Sequence, residues 1–392
     1  MTNDKKSSIG MLDDIKILDF THVYFGPYTT MIMADMGAEV IKIEPPWGEM
    51  VRMSADLYGG LSSTFHYLDR NKKDVALNMK DPRALEIIKK LVAECDVIVE
   101  NFKRGTLDKL GLSYEEAKKI NPKIIYASLS GFGLDGPYAS RTSYAPIAES
   151  YSGWTKLTAD NIEPDSKPII PAAYHGDLDP ALFAVIAILG ALRHADKTGE
   201  GQVIDVSQLD VMLAQNGVQI TGYTLSGQLP HERQANRMPG PRTWGNFMCK
   251  DGWVYLACDP QMHGRLMKAM EVDDLGEGSE VLENWLKDLT VQEVVDRVGS
   301  VGVPVAHVYN IAEAIEDPHV KARDTIIEYD HPTAGPVRMP GFPVKMSKTP
   351  ATYRLPAPQL GEHTKQVLSE MLGYSDEEIE ELRKAGAVTL PR

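Results

Sequence analysis

The chain has 392 residues, 43% of them hydrophobic and 24% charged, with a formal net charge of -14. That length exceeds what one core usually fills, so two domains are expected. The acidic balance excludes the broad basic footprint of a nucleic-acid-binding surface, though not a local basic patch for a small anionic ligand. Cys95, Cys249 and Cys258 lack metal-ligand spacing and fit a reducing compartment. The opening MTNDKKSSIGMLDDIK has no apolar stretch of signal-peptide type. The longest apolar run, 180–192, is shorter than a bilayer span. These features predict a soluble, cytoplasmic protein with no membrane partner.

Taken in chain order, IKILDF (15–20) reads as a short strand, and PYTTMIMADMG as a helix that closes on Gly37. AEVIKIE (38–44) is a second strand. DPRALEIIKKLVAEC is an amphipathic helix with Asp81 as N-cap and Pro82 in its first turn. CDVIVENF reads as a buried strand, SYEEAKKI as a short helix and KIIYASLSGFG as a further strand. An apolar helix follows Pro180, and KTGEGQVIDVS turns into one more strand. Alternating strands and helices predict an α/β fold, with a Rossmann-like parallel sheet covered on both faces, over residues 1–221. No G-x-G-x-x-G follows the first strand, which argues against a dinucleotide-binding protein.

The segment 222–246, rich in Pro and Gly, reads as a linker or lid. Residues 247–330 read as a smaller α+β domain, with strands at GWVYLAC and VPVAHVY and helices at VLENWLKDL and TVQEVVDRVGS. Residues 331–392 read as a return linker and two amphipathic helices that pack on the large domain.

The stretch YHGDLDPALF (174–183) places two aspartates at the mouth of the most apolar helix. Asp179, just before Pro180, is a natural N-cap. Asp177 admits two readings. It is a second turn residue, or a carboxylate ionised by the helix N-terminus and competent as a nucleophile, with nearby backbone N–H groups as oxyanion donors. Lys72, Lys73, Lys80, Lys103, Arg104 and Lys109 cluster in the expected loops of this first domain, within an acidic chain, and suit a phosphate-bearing ligand.

LDFTHVYFGP (18–27), GAEVIKIE (37–44), NMKDP (78–82), DVIVENF (96–102), SLSGFGLDGPY (128–138), the GD pair 176–177, KTGEGQVIDVS (197–207) and LGEHT (360–364) occur in a fixed order. Together they resemble the class III CoA-transferases, the formyl-CoA transferase and carnitine CoA-transferase family, over nearly the whole chain. The resemblance implies Asp177 as nucleophile. It implies CoA contacts at Val23, Tyr24, Phe25, Leu77, Lys80, Asn101, Phe102, Lys103 and Lys109, and a homodimer of interlocked rings. The implied partners are an acyl-CoA and a small carboxylic acid. Neither a metal nor a tightly bound cofactor is implied; CoA serves as substrate.

Such an enzyme passes CoA through an aspartyl anhydride and an aspartyl-CoA thioester, both near thioester energy. The chain departs from the family pattern at Tyr24 and Pro45, where some members carry glutamine and arginine. The formyl-CoA enzyme's tyrosine–glutamate pair is replaced by Tyr144–Ala145, which predicts a different acceptor pocket around Tyr144. Residues Tyr144, Tyr151 and Trp154 suggest an acid larger than formate or oxalate. The family's glycine-rich loop is reduced here to 238–246, with Gly240 as the gating position. The alternative is an α-methylacyl-CoA racemase of the same superfamily. That pattern needs a histidine in the loop after GPY, where this chain reads RTSYAP (141–146).

Overall fold

The computed structural model describes residues 10–391, apart from 55, 164 and 231–239. Six strands form one parallel sheet: β1 (Lys16–Asp19), β2 (Glu39–Glu44), β3 (Lys72–Leu77), β4 (Val97–Glu100), β5 (Ile125–Ser130) and β6 (Val203–Ser207). Their spatial order is β3-β2-β1-β4-β5-β6, and the short strand Val388–Thr389 pairs antiparallel with β3 to close that edge. Both faces are covered, which is why β1, β2 and β4 carry adjacent apolar residues (Ile17–Leu18, Val40–Ile41, Val97–Ile98–Val99) rather than alternating ones. Ile17 and Leu18 are both fully buried although they point to opposite faces. Strand order reverses between β1 and β4. The crevice beyond the carboxyl ends of these two strands is where a sheet of this kind receives a ligand.

One face of the sheet is covered by helices Phe25–Asp35 and His175–Thr198. The other is covered by Pro82–Glu94 and by the C-terminal helices Thr364–Glu370 and Asp376–Lys384, through Val367, Leu368 and Ile379. Asp81 caps Pro82–Glu94, its carboxylate accepting the Arg83 N–H, and Ala84, Ile87, Ile88, Leu91 and Val92 form the buried stripe.

The helix predicted to start at Pro180 starts instead at His175, so Asp179 is not its N-cap. The reason is tertiary. A helix leaves its first N–H groups without internal acceptors. Here the His175 N–H donates to the Ala173 carbonyl, the Gly176 N–H to Glu149 Oε1, and the Asp177 and Leu178 N–H groups both to the Tyr174 carbonyl. Pro180 therefore lies inside the helix. At 24 residues this is also the one described helix long and apolar enough to cross a membrane by length and composition, and it extends beyond the apolar run 180–192 at both ends. Its Ala181, Ala184, Val185 and Ile188 are buried in the sheet's core, whereas Leu182, Phe183 and Ile186 are exposed.

The chain groups into two compact units, one made of residues up to Ile220 together with those from Thr325, the other of Thr221–Asp324. The second holds a three-stranded antiparallel sheet, ordered Val305–His307, Trp253–Ala257, Trp244–Met248. Its own core includes Val254, Leu256, Leu266, Leu286, Val294 and Val298. Within 222–246, helix Gly217–Ser226 ends and strand Trp244–Met248 begins; 231–239 lie outside the described residues.

Candidate active site

Asp177 lies in the first turn of helix His175–Thr198 and is 8% exposed. Two neighbours hold it. Ser207, the last residue of β6, caps helix Gln208–Gln215 by accepting the Asp210 N–H. The sheet thereby delivers Gln208, whose Nε2 donates to Asp177 Oδ1 at 2.5 Å. On the other side, helix Ala145–Tyr151 runs against Gly176, and its buried Glu149 accepts the Gly176 N–H at 2.9 Å. A Cβ at Gly176 would sit 2.5 Å from the Ala145 carbonyl oxygen, so only glycine permits this approach. The helix N-terminus was expected to offer free N–H donors beside Asp177. That expectation is corrected, because its first four N–H groups are taken as described above, and the donor that reaches Asp177 is the Gln208 amide.

The Asp177 carboxyl is pushed from the usual 3.8 up to about 7, by burial first and by the Glu149 charge, against the Gln208 hydrogen bond. It faces a pocket of about 280 Å³. The loop after β1 contributes His22, Val23, Tyr24 and Phe25, and the loop after β4 contributes Asn101, Phe102, Lys103 and Arg104. Residues 128–131 at the end of β5, Gly133, Leu134 and Ala139 after it, the loop 141–144 and Gln208 complete the lining. The β1 and β4 loops are stitched together: Asn101 Oδ1 accepts the His22 N–H at 2.9 Å, and Asn101 Nδ2 donates to the His22 carbonyl at 2.8 Å. Val23 has φ +69°, a costly conformation for a β-branched residue, and its N–H donates to buried Glu49 Oε2 at 2.9 Å.

Of the positions singled out in the sequence, Val23, Tyr24, Phe25, Asn101, Phe102, Lys103 and Tyr144 meet Asp177 in this pocket. Leu77 is buried at the end of β3; Lys80, on the turn after β3, and Lys109, in the short 3₁₀ helix Asp108–Leu110, are exposed outside the pocket. Gly240 belongs to the second unit, with φ +124° and its N–H donated to Glu277 Oε2. Two of the basic residues were misassigned. Lys72 is fully buried on β3, paired with Asp69 at 2.9 Å and Asp19 at 3.2 Å, and Lys73 pairs with Glu39 at 2.5 Å. Both lie on a strand of the sheet interior, not in a loop, so their charges are already met. Arg104 lines the pocket and also a second cavity of about 230 Å³ beside it, walled by Glu100, Gly105, Thr106 and Tyr126. Glu149 and Gln208 escaped the sequence reading, because neither carries a local signal. Only the pairing of two distant segments with Asp177 reveals them.

Ionisation of Asp177 near 7 predicts that any reaction needing its carboxylate has a rate that rises with pH along one limb centred there, read between about pH 5 and 9. Glu149→Gln removes the neighbouring charge and moves the limb to lower pH. Gln208→Leu removes the opposing hydrogen bond and moves it higher. A limb unmoved by both would show that another group controls the rate. The folded-state value lies above the unfolded one, so this carboxyl makes stability fall as pH rises from 3.8 to about 7.

The family model described as CoA-transferase family III matches residues 12–364. The chain is 34% identical to the human succinyl-CoA:glutarate CoA-transferase, over 97% of this chain and 91% of that protein. It is 33% identical to a succinyl-CoA:mesaconate CoA-transferase of Haloarcula marismortui, over 92% of this chain and 96% of that protein. A crystal structure of a CaiB/BaiF family protein from Brucella suis superposes with a TM-score of 0.82 at 29% identity, covering 91% of this chain and 98% of that one. The match over nearly the whole chain and the shared fold show that the chain belongs to CoA-transferase family III and is a class III CoA-transferase.

Proposed function

We propose that this enzyme transfers CoA from an acyl-CoA thioester to a free carboxylic acid, with Asp177 as the covalent nucleophile. The observation that carries the reading is a buried carboxylate, fixed by a 2.5 Å bond from Gln208, at the wall of a pocket formed by strand-end loops. Asp177 attacks the thioester carbonyl, the C–S bond breaks, and CoA leaves as thiolate from an acyl-aspartyl anhydride. The thiolate then attacks Asp177 Cγ, expelling the first acid as a carboxylate and leaving an aspartyl-CoA thioester. The acceptor carboxylate and the released thiolate repeat the two steps in reverse, which restores Asp177. Each tetrahedral adduct at Cγ places negative charge on the oxygen that Gln208 already holds, so Gln208 serves as oxyanion donor.

Val23, Tyr24, Phe25, Asn101, Phe102 and Lys103 are assigned to the reactive arm of CoA. Lys80, exposed on the turn after β3, and Lys109, exposed in the 3₁₀ helix Asp108–Leu110 after β4, are assigned to its phosphates, and Leu77 at the end of β3 to a further CoA contact. Tyr144 is assigned to the acceptor acid, and Gly240 to the gating position of its loop. The racemase alternative gains nothing from the site, since no histidine stands in 141–146 and the curated relatives reported above are CoA-transferases. The test is intact mass after mixing with acyl-CoA and trapping with hydroxylamine or borohydride. An adduct mapping to Asp177 supports the reading, whereas α-proton exchange into deuterated water without an adduct would replace it.

A homodimer is part of the same proposal. Leu182, Phe183 and Ile186 leave an apolar face on a helix whose other face is core, and such faces mark association sites. Ile186, at 64% exposure, is the residue to charge. Ile186→Glu is expected to shift sedimentation from dimer to monomer, and an unchanged dimer would move the interface elsewhere.

A further inference from the structure

We propose that Arg141 selects a dicarboxylic substrate by binding its distal carboxylate; this rests on the transferase reading of Asp177. Arg141 lines the same pocket as Asp177, from the loop 141–144 rather than from the loop after β4 that carries Lys103 and Arg104. Its loop is pressed onto the reacting end. A Cβ at Gly131 would fall 2.1 Å from Ser143 Cβ, and one at Gly176 would fall 2.5 Å from the Ala145 oxygen. We therefore assign the cation on this loop, beside the segment that seats Gly176 and Asp177, to the acid, while the cations after β4 stand among the CoA contacts proposed above.

The guanidinium is also preorganised. Its carbon sits 3.8 Å from the centre of the Tyr138 ring, and Nη1 donates to the Tyr151 hydroxyl at 2.9 Å. Tyr138 and Tyr151 pack edge-to-face with each other and with Phe132, at 5.8, 5.5 and 5.8 Å. Among the described residues no carboxylate pairs with Arg141, although the chain carries 55 acidic residues against 41 basic ones. An arginine that is stacked, exposed and without an anionic partner presents its remaining N–H fork to a ligand, and that fork matches a carboxylate bidentately. The second carboxylate of a short diacid is the anion that belongs beside a carboxyl-reacting centre. The relatives named above act on glutarate and mesaconate, both diacids.

The test compares glutarate with pentanoate as acceptor, at one fixed acyl-CoA donor, in wild type, Arg141→Met and Arg141→Lys. Wild type is expected to prefer glutarate. Arg141→Met should lower the glutarate-to-pentanoate ratio of kcat/KM by roughly 10- to 100-fold, with Arg141→Lys between. If Arg141→Met fails to fold, Arg141→Lys still reports the ratio. Equal losses for both acids would assign Arg141 to CoA or to the fold and overturn the proposal. Wild-type transfer without preference for the diacid would overturn it too, while leaving the Asp177 chemistry intact. Only the absence of both transfer and an Asp177 adduct in wild type would defeat the underlying reading.

Discussion

Asp177→Asn is expected to lower kcat for CoA transfer by at least ~10⁴-fold, the scale on which losing a covalent nucleophile acts. The amide is isosteric with the carboxylate. Its Oδ1 can still accept from Gln208, and Gly176 and Glu149 are untouched, so the turn should keep its shape. The KM for acyl-CoA should change little, because the loops after β1 and β4 form the rest of the pocket. Asparagine also lacks the oxygen that must attack, so no adduct should be trapped. The two outcomes separate sharply. Retained transfer in Asp177→Asn would mean that the acids exchange directly across the bound thioester, and that Asp177 only shapes the pocket. Loss of kcat with an unchanged unfolding midpoint would fix Asp177 as the reacting group.

Why Asp177 was legible and its supports were not is a matter of which interactions are local. Helix Pro82–Glu94 announced itself through cap, proline and apolar stripe within one segment, and the strands through apolar runs that a doubly covered sheet requires. The start of helix His175–Thr198 could not be read the same way. Its second N–H is met by Glu149, on a helix well upstream in the sequence, and that acceptor lets the helix begin ahead of the Asp-Pro signal. Gln208 is an ordinary residue after a strand until β6 is placed beside β5 and its side chain reaches Asp177. The lysines of NKKDVAL failed for the opposite reason. A charged pair suggests a surface loop, but here β3 lies inside the sheet, and Asp19 and Asp69 are supplied by other strands and turns to meet Lys72.

That buried network sets the largest stability effect expected of any single change. Lys42 on β2 is fully buried, its Nζ 2.9 Å from the Thr21 carbonyl, 3.0 Å from Glu49 and 3.4 Å from Asp69. Burial alone would pull its pKa down, but Asp69, Glu49, Asp19 and Glu44 hold it well above its ordinary value, so the ammonium is charged. Lys42→Met keeps the volume and removes the charge. It leaves buried carboxylates short of a cation and should cost about 3–5 kcal/mol, read as a lower denaturant midpoint at constant slope and fixed protein concentration. A second consequence reaches the site. Glu49 is the acceptor that holds Val23 at positive φ, so loosening it should raise KM for acyl-CoA more than it lowers kcat. Burial already pushes the Glu49 carboxyl up to about 7 and losing Lys42 pushes it further, so adding Glu49→Gln to Lys42→Met should recover stability mainly above pH 7, where the unpaired charge would form, but not the KM. Additive losses in the double variant would instead show that Lys42 acts by packing alone.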